Sequence, residues 1–114
     1  MKFQHQIQDD YVLITLEGNL IGEEFGSGIL EIANDVISKG ILKCAVDIQN
    51  VKYINSTGIG VLITLLTKFR NQSGEMVVIK PSEHVQKLLI ITKLTAIFKI
   101  VDTLEEAVDS LQQQ

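Results

Sequence analysis

The chain has 114 residues and a formal net charge of −4, with 10 Lys and Arg against 14 Asp and Glu. This length suits one compact domain, and a hydrophobic content of 46% supplies a core and excludes a disordered chain. Because no basic stripe and no row of spaced aromatics is present, we expect no nucleic-acid partner. No apolar run approaches the roughly 18 residues of a membrane span, and the N-terminal stretch lacks an apolar signal-peptide core. We therefore expect a cytoplasmic protein without direct membrane insertion.

The first half of the chain is predicted to form a β-hairpin followed by a helix. Two β-rich runs, Phe3–Ile7 and Tyr11–Leu16, flank a turn, and the polar residues 17–19 end the second run. A helical pattern ends at Gly40 and has apolar residues at spacings of three and four: Phe25, Ile29, Ile32, Ala33, Val36 and Ile37. Two glycines in its first turn leave the start of this helix open.

The second half of the chain alternates strands with helices. A strand over Lys43–Ile48 is closed by Gln49-Asn50, and a helix follows whose apolar segment extends from Gly60 to Phe69. The remaining predicted elements are a buried strand at Met76–Ile79, a helix starting at Pro81–Glu83, a short strand at Ile97–Val101 and a last helix capped by Asp102 or Thr103. The predicted order is β-β-α-β-α-β-α-β-α over one domain, residues 1–114. This order implies an α/β fold with a mostly parallel sheet, an N-terminal antiparallel hairpin and helices mainly on one face.

A pair of hydroxyls lies where the third predicted strand leads into the next helix, in the stretch Ile54-Asn55-Ser56-Thr57-Gly58-Ile59-Gly60. A helix N-terminus has unpaired backbone N–H groups and the positive end of the helix dipole. Asn or Ser at this position caps the helix, and the same N–H groups would stabilise a phosphate. The residues therefore fit a phosphorylation switch. Simple capping, which is common in α/β proteins, is the more general interpretation of the same pattern.

No constellation of residues in the sequence predicts an enzyme, a cofactor or a metal site. Gly58 and Gly60 lack the third glycine of a dinucleotide loop, and we interpret them as tight packing at a helix start. The two histidines, His5 and His84, have no spacing typical of a metal site, and neither forms a recognisable triad signature with Ser56.

Two residues of the third predicted strand could carry chemistry, but both have structural interpretations. Cys44 is a lone cysteine in a strand-like run, which is typical of a small core residue and not of a catalytic thiol. Asp47 ends the strand, where α/β enzymes often place a catalytic acid. A strand-end cap or a surface charge is the simpler interpretation of Asp47.

The stretch Val46–Leu62 resembles the core signature of STAS domains, and more narrowly that of bacterial anti-sigma factor antagonists. That signature reads acid, small hydroxyl, small hydroxyl, Gly, apolar, Gly, and here it aligns with residues 55–60. Three other stretches are similar to the family: Leu16–Leu20, Gly74–Val78 and Leu94–Ile100. The likeness covers almost the whole chain. It implies a single STAS-type α/β domain that acts as a regulatory binding protein.

The resemblance implies a partner-switching mechanism. The unphosphorylated protein would bind an anti-sigma factor that is also a serine kinase, and would thereby free the sigma factor. The kinase would then phosphorylate the first hydroxyl of the signature, which is Ser56, and a phosphatase would reset the switch. Thr57 is the weaker acceptor candidate and is expected to support the loop geometry. The implied partner-binding residues are Asn19, Ile21, Glu23, Glu24, Asn55, Ser56, Thr57, Gly58 and Ile59.

The sequence departs from the family at two positions that often carry Asp. One is Asn55, before the hydroxyl pair, and the other is Ile21, in the loop after the second strand. Asn keeps the cap but loses the charge, and Glu23 and Glu24 are nearby acids that could compensate. These departures leave open a second function, a STAS scaffold or regulatory subunit of a lipid transporter or a stress-sensing assembly without phospho-switching. The oligomeric state is also left open.

Overall fold

The computed structural model describes residues 2–21 and 24–113, without the side chains of residues 24 and 25. Within these residues the chain forms five strands, four α-helices and one short 3-10 helix. The elements in chain order are β1 (Lys2–Gln8), β2 (Tyr11–Leu20), α1 (Glu24–Ser38), β3 (Lys43–Ile54), α2 (Ser56–Asn71), β4 (Glu75–Ile79), α3 (Glu83–Ile91), a 3-10 turn (Leu94–Ala96), β5 (Lys99–Val101) and α4 (Leu104–Gln112). The predicted order of strands and helices is confirmed.

The five strands form one mixed sheet in the order β1-β2-β3-β4-β5. The β1–β2 pair is antiparallel, and the pairs from β2 to β5 are parallel, as predicted. Each parallel connection steps to the next strand in the same direction. Because such connections are right-handed, α1, α2 and α3 cover the same face of the sheet. Helix α4 packs on the opposite face, against β3 and β4.

Alternating side chains of the central strands fill a core on each face of the sheet. The larger core lies under α1–α3 and contains Val46 and Val78, whereas Ala45 and Val77 point to α4. Cys44 belongs to the larger core and is fully buried. Burial raises the pKa of the Cys44 thiol, because the charged thiolate is disfavoured without water. The interpretation of Cys44 as a core residue is confirmed.

Strands β2 and β3 are longer than predicted. β2 was expected to end at Leu16 and β3 at Ile48, but they continue to Leu20 and Ile54. The added segments pair with each other, from Glu17 opposite Asn50 to Leu20 opposite Ile54, with two register shifts. The predicted ends were wrong because the polar residues after Leu16 and Ile48 do not break these strands. They lie instead on the exposed side of a two-stranded extension, residues 17–20 and 50–54, which we call the ribbon.

Other predicted boundaries changed by a few residues. The last strand was expected from Ile97, but β5 begins at Lys99 because a 3-10 turn precedes it and Phe98 is buried in the larger core. Helix α2 begins at Ser56, four residues before its apolar segment. The proposed end of α1 is confirmed, since Gly40 has a φ of 86° and its N–H donates to the Ile37 carbonyl.

Candidate functional site

The ribbon leads directly into α2, and Asn55 is the residue between them. Its backbone is extended, with φ −112° and ψ −174°, and its side-chain Oδ1 accepts a hydrogen bond of 3.0 Å from the Gly58 N–H. The Asn55 carbonyl accepts from the Ile59 N–H at 2.9 Å. Of the two caps that the sequence allowed, Asn55 is therefore the one used, and Ser56 is the first residue of the helix.

Asn55 also ties the start of α2 to the end of β2. Its backbone N–H donates to the Leu20 carbonyl at 3.4 Å, and its side-chain Nδ2 donates to the Ile21 carbonyl over a long 3.5 Å. An ionised Asp could cap Gly58 equally well, but it has no proton to donate to the Ile21 carbonyl. The carboxamide thus fits both sides of this junction, which gives the departure from the family pattern a local structural reason.

Gly58 allows the backbones of β2 and α2 to approach closely. It is buried, and a Cβ at this position would collide with the Leu20 carbonyl oxygen and lie 2.8 Å from Ile54 Cγ1. Gly60 differs, since a Cβ there would meet nothing within 4 Å. The prediction of tight packing is confirmed for Gly58 and wrong for Gly60, because Gly60 faces open space one turn above the junction.

The Ser56 side chain is exposed at the tip of this junction, whereas Thr57 is half-buried. The described part of the chain offers the Ser56 hydroxyl no hydrogen-bond partner. The cap occupies the Gly58 N–H, so the N–H groups of Ser56 and Thr57 have no acceptor within the helix. The first turn of α2 contains no acidic residue. The site thus combines an accessible hydroxyl, free N–H groups and an uncompensated helix dipole.

The residues predicted for partner binding lie together around this hydroxyl wherever the structure describes them. Asn19 is exposed on the ribbon, and Ile21 next to it exposes 50% of its surface. Ile59 is half-buried in the first turn of α2, and Gly58 is buried, so Gly58 shapes the surface without offering a side chain to it. Glu23 and the side chain of Glu24 lie outside the described residues.

Two surface features beside the site were missed in the sequence. The Tyr53 ring lies edge-on to His84, with centroids 5.2 Å apart, and 55% of Tyr53 is exposed. These rings line an open depression of about 460 Å³ together with Lys52, Ser82, Glu83 and Lys87. A second open groove, of about 730 Å³, follows the outer side of the ribbon and includes Asn19 and Ile21. These features escape the sequence analysis because it ends the third strand at Ile48, whereas β3 continues to Ile54 and carries Tyr53 and Lys52.

The groups weighed for catalysis are held in structural roles or lie apart. Asp47 accepts two hydrogen bonds from Gln49, from its backbone N–H and from its side-chain Nε2, each 3.0 Å long. The prediction that Asp47 ends its strand is wrong, because β3 continues to Ile54, and these hydrogen bonds hold the Asp47 carboxylate within the strand. His5 lies on β1 and His84 on α3, so neither is on the element that carries Ser56.

Among residues 2–21 and 24–113, no cluster of three or more His, Cys, Asp or Glu could hold a metal ion. Nor do these residues include a helix that is long and apolar enough to cross a bilayer.

Relatives of this chain share both its length and its fold. A Thermotoga maritima protein named "Putative anti-sigma factor antagonist" is 27% identical over 112 residues, which are 98% of this chain and 99% of that protein. The crystal structure of a protein of that description from the same organism matches with a TM-score of 0.86 at 28% identity, covering 96% of this chain and 94% of the other.

The anti-sigma factor antagonist SpoIIAA has the same fold. Its unphosphorylated form matches with a TM-score of 0.82 at 21% identity, over 99% of this chain and 98% of SpoIIAA. The Bacillus SpoIIAA in its phosphorylated form matches with a TM-score of 0.74 at 21% identity, over 96% and 98% of the two chains. A family model of the STAS domain matches residues 2–107, from β1 into α4. The chain therefore belongs to the STAS domain family.

Proposed function

We propose that this protein is an anti-sigma factor antagonist that works by binding, not by catalysis, and that phosphorylation of Ser56 switches the binding off. The similarity to proteins named as anti-sigma factor antagonists supports the general role. The observation that carries the proposal is the exposed Ser56 hydroxyl, which no described residue engages, at the start of a helix capped by its neighbour Asn55. The partner is an anti-sigma factor with serine kinase activity, and a phosphatase restores the hydroxyl.

The surface around Ser56 is suited to a partner that reads a neutral hydroxyl. Ile21 offers an exposed apolar side chain, and Asn19 and Asn55 offer uncharged polar groups. A phosphate would add roughly −1.5 to −2 charges and three strong acceptor oxygens at this spot. Burying that charge against a surface shaped for a hydroxyl costs more than the contacts return, so the complex separates.

The same phosphate is stabilised within the free protein. The N–H groups of Ser56 and Thr57 are without helical acceptors, and the first turn of α2 has no acid that would repel a phosphate. Ser56 is the better acceptor of the two hydroxyls because Thr57 is half-buried. Phosphorylation thus adds a charge that is unfavourable in the complex with the partner and favourable at the helix terminus of the free protein.

The test compares wild type with Ser56→Ala, Thr57→Ala and Ser56→Asp against the cognate anti-sigma factor with ATP. We expect phosphate on wild type and on Thr57→Ala, and none on Ser56→Ala. In calorimetry without ATP, Ser56→Ala should bind about as tightly as wild type, and Ser56→Asp at least about tenfold more weakly, or about 1.4 kcal/mol. Phosphate on another residue, or equal binding of wild type and Ser56→Asp, would overturn the switch.

A matched control separates the position of the charge from the charge itself. Thr64 is exposed on the same helix, two turns beyond Ser56. Thr64→Asp adds the same charge outside the proposed surface, so we expect its affinity to stay within about twofold of wild type, because exposed charges at that separation are screened. Equal losses for the two variants would mean that net charge, and not the Ser56 surface, controls binding.

The second candidate function is a STAS scaffold without a phospho-switch. It is favoured by the neutral residues Asn55 and Ile21, because two acids that the family often carries are absent. A scaffold would bind the same partner, for example a component of a transporter, whether residue 56 is Ser or Asp. The binding comparison above therefore decides between the two candidates.

A further inference from the structure

We propose that β1 is a self-association edge, through which two copies of this chain pair antiparallel to form one continuous ten-stranded sheet. The proposal starts from the two edges of the sheet, since the strand order places β1 at one end and β5 at the other. Edge strands expose unpaired backbone groups, and proteins protect them with short length, charge, proline or a covering element. The edges of this sheet differ in that protection.

By the features of the described residues, the β5 edge is protected and the β1 edge is not. β5 has three residues and begins with Lys99. β1 has seven residues, all exposed except the half-buried Gln8, and it pairs with β2 alone among the described strands. Its sequence, Lys2-Phe3-Gln4-His5-Gln6-Ile7-Gln8, has one charged residue at its end and no proline. At about 3.4 Å per residue, this strand presents about 24 Å of open edge.

The sequence of β1 is complementary to itself in one register. Residues directly opposite each other in an antiparallel pair lie on the same face of a sheet, so their position numbers must sum to an even number in a two-fold pairing. The sum of 10 engages all seven residues of β1, and it places His5 of each copy on the two-fold axis. Gln4 of one copy then faces Gln6 of the other, and Phe3 faces Ile7.

This register pairs apolar residues with apolar residues on one face of the sheet and Gln with Gln on the other. The β1–β2 pairing sets Phe3 opposite Leu16 and Ile7 opposite Val12, so both side chains lie on the face of α1–α3. They are 37% and 39% exposed, and the register converts them into two apolar cross-strand pairs per dimer. The Phe3 ring is held at this edge by α1, because a Cβ added to Gly28 would lie 2.6 Å from its Cζ.

Charge is also complementary at both ends of the pairing. Lys2 of one copy faces Gln8 of the other, which places it beside Asp9 in the following turn. Asp9 is exposed, so each end of the pairing brings a Lys and an Asp of opposite charge together. A second copy of this chain is therefore the occupant that fits this edge in length, polarity and charge.

The pairing leaves the Ser56 surface open. Antiparallel pairing reverses the direction of the second sheet, so the two Ser56 junctions, which follow the C-terminal end of β3, point to opposite ends of the dimer. Self-association at β1 is thus independent of the proposed switch. An experiment that abolishes self-association therefore leaves the proposed Ser56 switch untouched, and the reverse also holds.

Analytical ultracentrifugation of the full chain tests the edge. We expect wild type to approach twice its mass of 12.7 kDa with rising concentration. Gln4→Lys with Gln6→Lys sets two Lys–Lys pairs across the axis and should weaken self-association at least about tenfold. Gln4→Glu with Gln6→Lys sets two Glu–Lys pairs and should bind at least as tightly as wild type. Gln4 and Gln6 are both exposed, and thermal unfolding of each variant verifies the fold.

Cysteine cross-linking tests the register. Directly opposite Cα atoms lie about 4.5–5.5 Å apart, within disulfide range, so His5→Cys should form a covalent dimer under mild oxidation. Gln6→Cys is the matched control, because its two Cα atoms would be about 8 Å apart, beyond that range. A wild type that stays monomeric at millimolar concentration would overturn the proposal. So would equal dimerisation of the Lys–Lys and Glu–Lys variants, or faster cross-linking by Gln6→Cys than by His5→Cys.

Discussion

Helices α2 and α4 begin with the same kind of cap but differ in the charge around it. At α4, Thr103 accepts from the Glu106 N–H at 3.1 Å, and Glu106 reaches back to the Asp102 N–H at 3.1 Å. The first turn of α4 thus carries two acids, Glu105 and Glu106. At α2, Asn55 supplies the cap alone, and the first turn has no acid.

The difference shows which helix start is complete and which is left receptive. The α4 terminus has its dipole compensated by Glu105 and Glu106, and Glu106 also accepts from the Asp102 N–H just before the helix. The α2 terminus keeps a positive end and free N–H groups beside an exposed Ser56 hydroxyl. A phosphate at Ser56 would supply to α2 what Glu105 and Glu106 already supply to α4.

The largest expected effect comes from filling the close approach at α2. Gly58→Ala places a Cβ against the Leu20 carbonyl oxygen, which belongs to backbone and cannot rotate away. We expect it to lower the free energy of unfolding by about 2–4 kcal/mol, measured in urea. Gly60→Ala is the matched control, since its Cβ meets nothing within 4 Å, and it should raise stability by about 0.5–1 kcal/mol. Equal effects of the two substitutions would contradict the tight junction.

The caps of α2 and α4 can be removed separately to compare how much each contributes to the free energy of unfolding. Asn55→Ala removes the bond to the Gly58 N–H and the long bond to the Ile21 carbonyl, and should cost about 1–2 kcal/mol of unfolding free energy. Thr103→Ala removes one capping bond while Glu106 still holds the Asp102 N–H, and should cost about 1 kcal/mol. A larger loss at Thr103 than at Asn55 would mean that the Asn55 cap does not hold the junction together.

Adding an acid at the start of α2 and removing one at the start of α4 should change the free energy of unfolding in opposite directions. Ser56→Asp places a carboxylate in the bare first turn of α2 and should raise the free energy of unfolding by about 0.3–1 kcal/mol at low salt. Glu105→Gln removes one of two acids from α4 and should lower it by about as much. Both changes should shrink in 1 M salt, where charges are screened within about 3 Å. A loss of stability in Ser56→Asp would show that the α2 terminus does not favour an anion.

The smallest expected effect concerns the far end of α4. Gln112 donates to Asp10 at 3.0 Å and Lys43 donates to its other oxygen at 3.0 Å. These hydrogen bonds, with Gln112 first, hold the pKa of the Asp10 carboxyl below its usual value. A depressed folded-state pKa contributes stability above the unfolded value, near 3.9, and this contribution is lost as pH falls through the folded pKa.

Asp10→Asn therefore lowers the melting temperature slightly at pH 7, and this difference from wild type shrinks as the pH falls through the folded-state pKa of Asp10. The measurement is thermal unfolding from pH 2 to 7, with Asp9→Asn as the control in the same turn. Because the carboxyl is fully exposed, solvent screens the effect and it should be the weakest of this series. If the two variants change the melting temperature equally at every pH, the hydrogen bonds from Gln112 and Lys43 to Asp10 do not stabilise the fold.

The sequence predicted most of the candidate site because its parts are adjacent along the chain. Asn55, Ser56 and Gly58 lie within four positions, and the strand and helix on either side have clear apolar periods. The resemblance to the family then pointed to the second loop, with Asn19 and Ile21. In the structure, Asn19 and Ile21 lie beside the start of α2. The phosphorylation of Ser56 stays a prediction.

The periodicity of the chain by itself determined the order of its elements, the mostly parallel sheet and the glycine at the α2 start, because burial patterns are local in sequence. Tertiary structure decided three other features. It decided that residues 50–54, polar at several positions but with Val51 buried, continue β3, since pairing with residues 17–20 satisfies their backbone groups. It decided that Asn55 and not Ser56 caps α2, since Asn55 can also donate to the Ile21 carbonyl. Among the described strands it left β1 with an open edge, because a strand's free side depends on which other strands the fold places beside it.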